Sequence, residues 1–418
     1  SLVAPQEDYH DMMGKEISGS TVKAKIAKAK ALGMHPTAYG AVYAASKPFF
    51  EKHPTWAFYN SCQEPFVFID VFYIMNIAEG SPWRKHLFEE YQSAISMMGF
   101  SGIHMDTYGF PKTAYSHLDA IPKKIKLEDE LPTLIDETRE NVHGEEEPYL
   151  IFNNVGAWPV QRTADRKQDA VYIEVWPPYD RYASIAQLIR DARTYAKDDK
   201  STILAAYLKP FREGKREKAL PAAKLLMGSI VSNGATHLLT GENQTALTQG
   251  YYSDYTKFSD SEAEAIRRYY DYMIRYENLF FDPELQDVTM THTGWDNYEY
   301  QCTSHKVSSY GEAGKIWMIL REKDYRKCIY LLNLCGQNED YWNEGKEEPN
   351  IQKDIKFTVQ VDTPVEKICF STPDGENMDA IELSFTERAT KTGKFIDFTV
   401  PSLNYWTTIW IDTRKETI

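Results

Sequence analysis

Asp106 and Glu174 are the two residues of this chain whose setting best suits acid–base or nucleophilic work. Each closes a short apolar run, Gly102-Ile103-His104-Met105-Asp106 and Ala170-Val171-Tyr172-Ile173-Glu174. Runs of that length and composition predict β-strands, so each acid arrives at the rim of a sheet on its own strand. Side chains alternate along a strand. His104 and Asp106 therefore share one face and Ile103 and Met105 the other, while Tyr172, Glu174 and Trp176 oppose Val171, Ile173 and Val175. Two carboxyls across a sugar-sized gap are what glycosidic cleavage requires, one ionised at the anomeric carbon and one protonated at the leaving oxygen. A satisfied strand-end carboxylate or a helix cap is the plainer reading of either acid alone. The same layout found twice, beside Tyr108 and Trp176, argues for chemistry.

Other polar residues at predicted strand ends are candidates for holding substrate. Asn153 and Asn154 follow Leu150-Ile151-Phe152 and suit sugar hydroxyls or a structural loop cap. Lys209, in Tyr207-Leu208-Lys209-Pro210, suits binding or simple neutralisation of a carboxylate. Glu242 and Asn243 end the last predicted strand and are candidate subsite residues. Tyr39, Tyr108, Trp158 and Trp176 are candidate stacking platforms, since flat rings pack against sugar C–H faces. Asp70 reads as structural. His104 could donate to Asp106 or be a packed interior histidine, and either stays open.

The elements that must position these residues alternate from about residue 20 to 282. Predicted helices at 21–32, 83–98, 128–142, 184–197, 219–232 and 261–279 separate predicted strands ending near Tyr39, Met75, Asp106, Val155, Val175, Leu208 and Thr240. Pro82 marks a helix start and Gly99 its end. Strands separated by helices of this length imply a parallel sheet covered by helices. The expected fold is a (β/α)8 TIM-type barrel, whose catalytic groups lie at the C-terminal strand ends. Seven strands leave one missing, and a first strand upstream of Ser1 is the expectation, because unpaired edges are costly. From about residue 286 the helical spacing disappears, and short β-prone runs with turns at Asp374-Gly375 and Lys391-Thr392-Gly393 predict a β-sandwich. The expected division is a catalytic barrel over 1–285 and a β-sandwich over 286–418.

Composition narrows the function. Lys and Arg number 47 against 61 Asp and Glu, a net charge of −14 without a basic cluster, so nucleic acid is not the expected partner. No apolar run is long enough for a membrane span, and the first residues carry no leader pattern. The five cysteines (Cys62, Cys302, Cys328, Cys335, Cys369) sit at no metal-ligand spacing, and free, buried thiols are the expectation. Glu145-Glu146-Glu147 reads as solvated charge in a turn. Phosphate loops, nucleophile elbows and His-Glu-x-x-His are absent from the sequence, and neither cofactor nor metal is expected.

The motifs also resemble glycoside hydrolase family 66, the endo-dextranases and cycloisomaltooligosaccharide glucanotransferases. The matching stretches are Gly99-Phe100-Ser101-Gly102 leading to Asp106-Thr107-Tyr108-Gly109, the strand end Tyr73-Ile74-Met75-Asn76, and Ala170-Val171-Tyr172-Ile173-Glu174-Val175-Trp176. The resemblance covers most of residues 8–280. It implies Asp106 as nucleophile and Glu174 as general acid/base of a retaining, endo-acting enzyme on α-1,6-glucans such as dextran. It also implies an N-terminal β-domain and first barrel strand before Ser1, a C-terminal sandwich, and a secreted, periplasmic or surface-attached bacterial setting. The family often has an acidic residue near Ser101 and a different residue near Tyr108, departures that bear on glucan specificity. The alternatives are a ring-forming glucanotransferase, which tends to carry a module inserted in the barrel that no connection here is long enough to house, and a non-catalytic glycan-binding protein.

Overall fold

The computed structural model describes residues 8–11, 14–197, 200–250, 256–294 and 296–414. It divides into two compact units, Ser1–Glu174 with Tyr195–Lys200, and Val175–Thr194 with Ser201–Ile418. The chain is a mixed α/β protein with a sheet-rich C-terminal region.

The first unit contains strands β1 (Thr37–Ala41), β2 (Val67–Phe68), β3 (Phe72–Ile74), β4 (Gly102–Asp106), β5 (Tyr149–Val155) and β6 (Ala170–Glu174). Four of them run parallel in the order β1-β4-β5-β6. Register decides which side chains meet. Tyr39 lies opposite His104 and Ala41 opposite Asp106; His104 lies opposite Ile151, Asn153 opposite Tyr172 and Val155 opposite Glu174. Alternation therefore gathers Tyr39, His104, Asp106, Asn153, Tyr172 and Glu174 on one face. The opposite face supplies buried Ala38, Ile103, Met105, Leu150 and Phe152 to the apolar core.

Helices α1 (Gly19–Ala31), α2 (Pro82–Ser93) and α3 (Leu127–Asn141) flank this sheet in sequence. Pro82 opens α2 behind the N-cap Ser81, whose hydroxyl accepts from the Arg84 N–H. Glu128, Asp129 and Glu130 occupy the first turn of α3, where negative charge suits the helix dipole. Arg84 ties the two helices: buried, it donates to the Glu130 carbonyl at 3.0 Å and to Glu137 at 2.9 Å. Gly99 ends the preceding turn at φ 84°, which glycine adopts without strain. Gly102 answers a different need. A Cβ there would sit 2.1 Å from the Tyr149 carbonyl oxygen, so β4 and β5 meet this closely because position 102 lacks a side chain.

One expected strand is corrected. Phe66–Ile77 does not add a parallel strand: β2 and β3 form an antiparallel hairpin, and β3 pairs antiparallel with Ala44–Ala45. The chain reverses through Ile69, Asp70 and Val71, between the paired Phe68 and Phe72; Ile69 and Asp70 are both at positive φ (45° and 58°), the left-handed conformation that matches strand twist at a hairpin turn. Apolar content identified β structure here but not the reversal, because Ile-Asp is an unusual pair for that turn.

The second unit holds parallel strands β7 (Ser201–Ala205) and β8 (Ala235–His237) with helices α4 (Tyr182–Tyr195), α5 (Ala219–Ser232) and α6 (Asp260–Arg275). α5 is buried on nearly every side, as its almost uninterrupted apolar sequence requires. α6 starts with a capping box, Ser259 and Glu262 satisfying each other's backbone N–H groups. Beyond it lie two sheets, antiparallel except for Val307–Ser308, which joins the first parallel to Ile316–Lys323. One orders Gln286–Asp287, Ile316–Lys323, Arg326–Asn333, Trp406–Thr413, Val365–Ser371 and Ile381–Glu382; the other orders Tyr300–Cys302, Gln352–Val361, Gly393–Leu403 and Phe385–Thr390. Met318, Leu320, Ile329, Leu331, Ile409 and Ile411 of the first share one core with Ile355, Phe357, Val359, Ile396 and Phe398 of the second. α6 is fastened to this region, with the Tyr269 hydroxyl donating to Asp374 at 2.7 Å and that of Tyr272 to the Ser371 carbonyl at 3.0 Å.

All five cysteines are free; Cys328 and Cys369 are buried, whereas Cys62 is exposed on a loop. Among the described residues, no helix is long and apolar enough to cross a membrane.

Candidate active site

At the C-terminal strand ends of the first unit, Asn153 joins the two acids. Its Nδ2 donates to Asp106 Oδ1 at 2.6 Å and to Glu174 Oε2 at 3.1 Å. Because one nitrogen reaches both, the two carboxylate oxygens lie at most those two lengths apart, about 5.7 Å. The other oxygen of Asp106 accepts from the Tyr39 hydroxyl at 2.6 Å. The Thr107 hydroxyl donates to the Asn153 carbonyl at 3.2 Å, pinning the end of β4 to β5.

Asp106 is only 9% exposed. Burial pushes its carboxyl above the usual value, because a charge is poorly solvated there. Hydrogen bonds from Tyr39, Asn153 and the Thr107 N–H act the other way and favour the anion. His104, one alternation earlier, stacks obliquely on Tyr172 at 4.6 Å and meets Tyr39 edge-on at 6.3 Å. Burial lowers its pKa to about 4, so the ring is neutral above that, and its Nε2 has no hydrogen-bond partner.

The expected substrate-binding residues divide. Tyr39 is 59% exposed as a residue while its hydroxyl is committed to Asp106. Tyr108 is half-buried, stacked on Phe68 at 4.4 Å and on Phe72 at 5.8 Å. Asn153 faces both acids. Asn154 does not join them: alternation turns it to the opposite face, where it is fully buried. There it donates to the Tyr172 carbonyl at 3.0 Å and accepts from the Thr163 hydroxyl at 2.6 Å, which corrects its reading as a sugar ligand. Trp158 carries the Lys112 ammonium 3.5 Å above its ring, so one of its two faces is occupied. Burial lowers that lysine to about 8.

The remaining candidates belong to the second unit. Trp176, two residues past Glu174, is 41% exposed and touches Tyr207 edge-on at 6.1 Å. Lys209 is held by an ion pair with Glu344 at 2.5 Å, and its backbone N–H donates to Asn343 at 2.9 Å. Glu242 and Asn243 sit on an exposed turn joining Thr240–Gly241 to Thr245–Ala246, with Asn243 at φ 55°.

Sequence reasoning named Tyr39 but missed what it does. The signal was available, since a tyrosine on the polar face of the strand beside β4 can reach the acid ending β4. Nothing in the sequence pointed to Lys112 over Trp158. Among the described residues, no group of three or more His, Cys, Asp or Glu side chains could hold a metal ion.

The profile of Glycosyl hydrolase family 66 matches residues 2–410. This chain belongs to that family. Within it, a cycloisomaltooligosaccharide glucanotransferase from Niallia circulans is 28% identical over 193 residues, 46% of this chain and 19% of that protein. A dextranase from Streptococcus salivarius is 22% identical over 322 residues, 67% of this chain and 38% of that protein. The chain thus aligns with well under half the length of these curated relatives. Among solved structures, a Paenibacillus cycloisomaltooligosaccharide glucanotransferase in complex with cycloisomaltoheptaose superposes with a TM-score of 0.86 at 17% identity, covering 97% of this chain and 77% of that one. A maltogenic α-amylase from Thermotoga neapolitana reaches 0.57 at 10% identity, covering 95% and 82%. Those likenesses speak to fold.

Proposed function

We propose that this family 66 protein is an endo-acting, retaining hydrolase of α-1,6-glucans, with Asp106 as nucleophile and Glu174 as general acid/base. The observation that carries the reading is the bridge from Asn153 Nδ2 to both acids. Retaining enzymes hold their two carboxyls about 5–5.5 Å apart, whereas inverting ones need roughly 6.5–9.5 Å to admit water. An upper bound near 5.7 Å favours the first.

Roles follow from the surroundings. Asp106 accepts from Tyr39, Asn153 and the Thr107 N–H, an arrangement that supports an anion despite burial. As Asp106 attacks the anomeric carbon, Glu174 gives its proton to the leaving oxygen. Glu174 then takes a proton from the incoming water, and the sugar–Asp106 bond breaks with net retention. Trp176 offers an exposed ring for a neighbouring sugar. Glu242 and Asn243 are retained as subsite residues, and Lys209 as a group whose contact with substrate requires breaking its pair with Glu344.

The catalytic part is proposed as a TIM-type barrel over 1–285, followed by the two-sheet region over 286–418. A polymeric substrate places the reaction outside the cell. A second reading, transfer to a sugar hydroxyl that closes rings, is favoured by the likeness to cycloisomaltooligosaccharide glucanotransferases.

The test is digestion of dextran by the chain joined to any upstream segment of its own gene product. Linear isomaltooligosaccharides released as the α-anomer are expected. Cyclic products support the transferase, and β-anomeric products overturn retention. Dextran binding without turnover would mark a glycan-binding protein.

A further inference from the structure

Asn153 is buried, and its amide gives both hydrogens to carboxyls: Nδ2 donates to Asp106 Oδ1 at 2.6 Å and to Glu174 Oε2 at 3.1 Å. Its Oδ1 is enclosed and accepts no hydrogen bond. Turning the amide over would set that oxygen against both acids, so the carboxyls themselves fix which way it faces. The backbone beneath is pinned on either side. The Thr107 hydroxyl donates to the Asn153 carbonyl at 3.2 Å. Next along β5, Asn154 donates to the Tyr172 carbonyl at 3.0 Å and accepts from the Thr163 hydroxyl at 2.6 Å. The donor therefore keeps its place while the acids exchange charge.

The two bonds are unequal. Donation to a carboxylate is shorter and stronger than donation to a neutral carboxyl. A bond of 2.6 Å to Asp106 and one of 3.1 Å to Glu174 match an anion at the first and a protonated acid at the second. An oxygen that carries the proton is the poorer acceptor of the two on a carboxyl. The proton of Glu174 therefore belongs on Oε1, since Oε2 receives the Asn153 N–H.

We infer that Asn153 is a positioning residue that stays on the site's one negative charge as it passes from Asp106 to Glu174, and that it reserves Glu174 Oε1 for the proton. This rests on the proposed roles of the two acids. In the first step an Asp106 oxygen bonds to the anomeric carbon. The bond from that carbon to the leaving oxygen breaks with its electron pair, and that oxygen takes the Oε1 proton. Asp106 gives up its charge to the new bond while Glu174 becomes the anion. The hydrogen bond to Asp106 weakens as the one to Glu174 strengthens, and the amide does not move. The second step, in which water gives its proton to Glu174 and the Asp106–carbon bond breaks, reverses the exchange. Because the bond to Glu174 gains strength only as the proton leaves, it acts on the barrier rather than on substrate binding.

The experiment compares Asn153→Leu, similar in shape without donors, and Asn153→Asp, which can donate to one acid at most, with Glu174→Gln and Asp106→Asn. Each is assayed for kcat/KM on dextran, whose leaving group is a sugar hydroxyl, and on α-isomaltotriosyl fluoride, whose fluoride departs without a proton from Glu174. Asn153→Leu is expected to lose about 10–100-fold on dextran but about threefold or less on the fluoride, since only the first substrate draws on the positioned acid. Its KM for dextran should hold within about twofold while kcat falls. Asn153→Asp should lose at least as much on dextran, which keeps the test alive if the leucine variant folds poorly. Glu174→Gln should show the same split more strongly, and Asp106→Asn should lose both substrates. Equal losses on the two substrates in Asn153→Leu beside an intact split in Glu174→Gln, or parent-like dextran cleavage by Asn153→Asp, overturns this inference alone. Equal losses in Glu174→Gln itself overturn the assignment of Glu174 as the acid, and this inference with it.

Discussion

The strand ends of the first unit and the two-sheet region of the second solve opposite problems. At the strand ends a buried carboxyl is kept where burial works against its charge, and Asn153 Oδ1 and His104 Nε2 are enclosed without partners. The two sheets instead close over an aliphatic and aromatic core built from Ile329, Leu331, Phe357, Phe398 and Ile409. One region holds the groups proposed to react, at a cost to stability; the other contributes stability and carries no proposed chemistry. Substitutions should therefore separate into two classes.

The sharpest break falls on Asp106. Replacing it by Asn should lower dextran turnover by several orders of magnitude, equivalent to about 4–7 kcal/mol of barrier, with Glu174→Gln close behind. Stability should move the other way. A carboxyl whose folded pKa is raised contributes stability present below its unfolded pKa and lost as pH rises through the folded value. At neutral pH ionised Asp106 is thus a burden, and Asp106→Asn should unfold at the same or a higher temperature, its advantage growing as pH rises from acid and then levelling. A variant that is inactive and also markedly less stable at neutral pH would break the contrast.

Ile329→Ala tests the opposite corner. It should cost about 2–5 kcal/mol, read from denaturant midpoints, while the surviving folded fraction keeps its kcat. Asn153→Ala should come next, lowering kcat by one to two orders of magnitude through loss of the bridge, with KM little changed. The smallest effect is expected for Lys209→Met. Its pair with Glu344 is partly exposed, so stability should change by less than about 1 kcal/mol, and a large rise in KM for dextran would instead mark Lys209 as a sugar contact.

How much of this was readable in advance depended on range. Alternation along 102–106 and 170–174 put Asp106 and Glu174 on polar faces because the pattern is local, and the helices at 127–141 and 219–232 followed from the same short-range signals. What failed needed knowledge of partners. Asn153 and Asn154 look equivalent in sequence, yet one faces the acids and the other Thr163, since only register fixes which of two neighbours points where. The hairpin at 67–74 escaped because Ile69 and Asp70 occupy a turn conformation that their types do not advertise. Tyr39 was named for its ring, whereas its hydroxyl is what meets Asp106.

Gly102 makes the site vulnerable at a position with no chemistry of its own. Any L-residue there drives a methyl or more into the Tyr149 carbonyl, and the least disruptive relief is for β5 to slide away from β4. Asn153 would travel with it and lose its simultaneous grip on both acids, although every reactive atom is still encoded. Alanine at 102 is consequently a way for drifting descendants to become silent while remaining folded, and for a bench chemist to uncouple the two carboxylates without touching either.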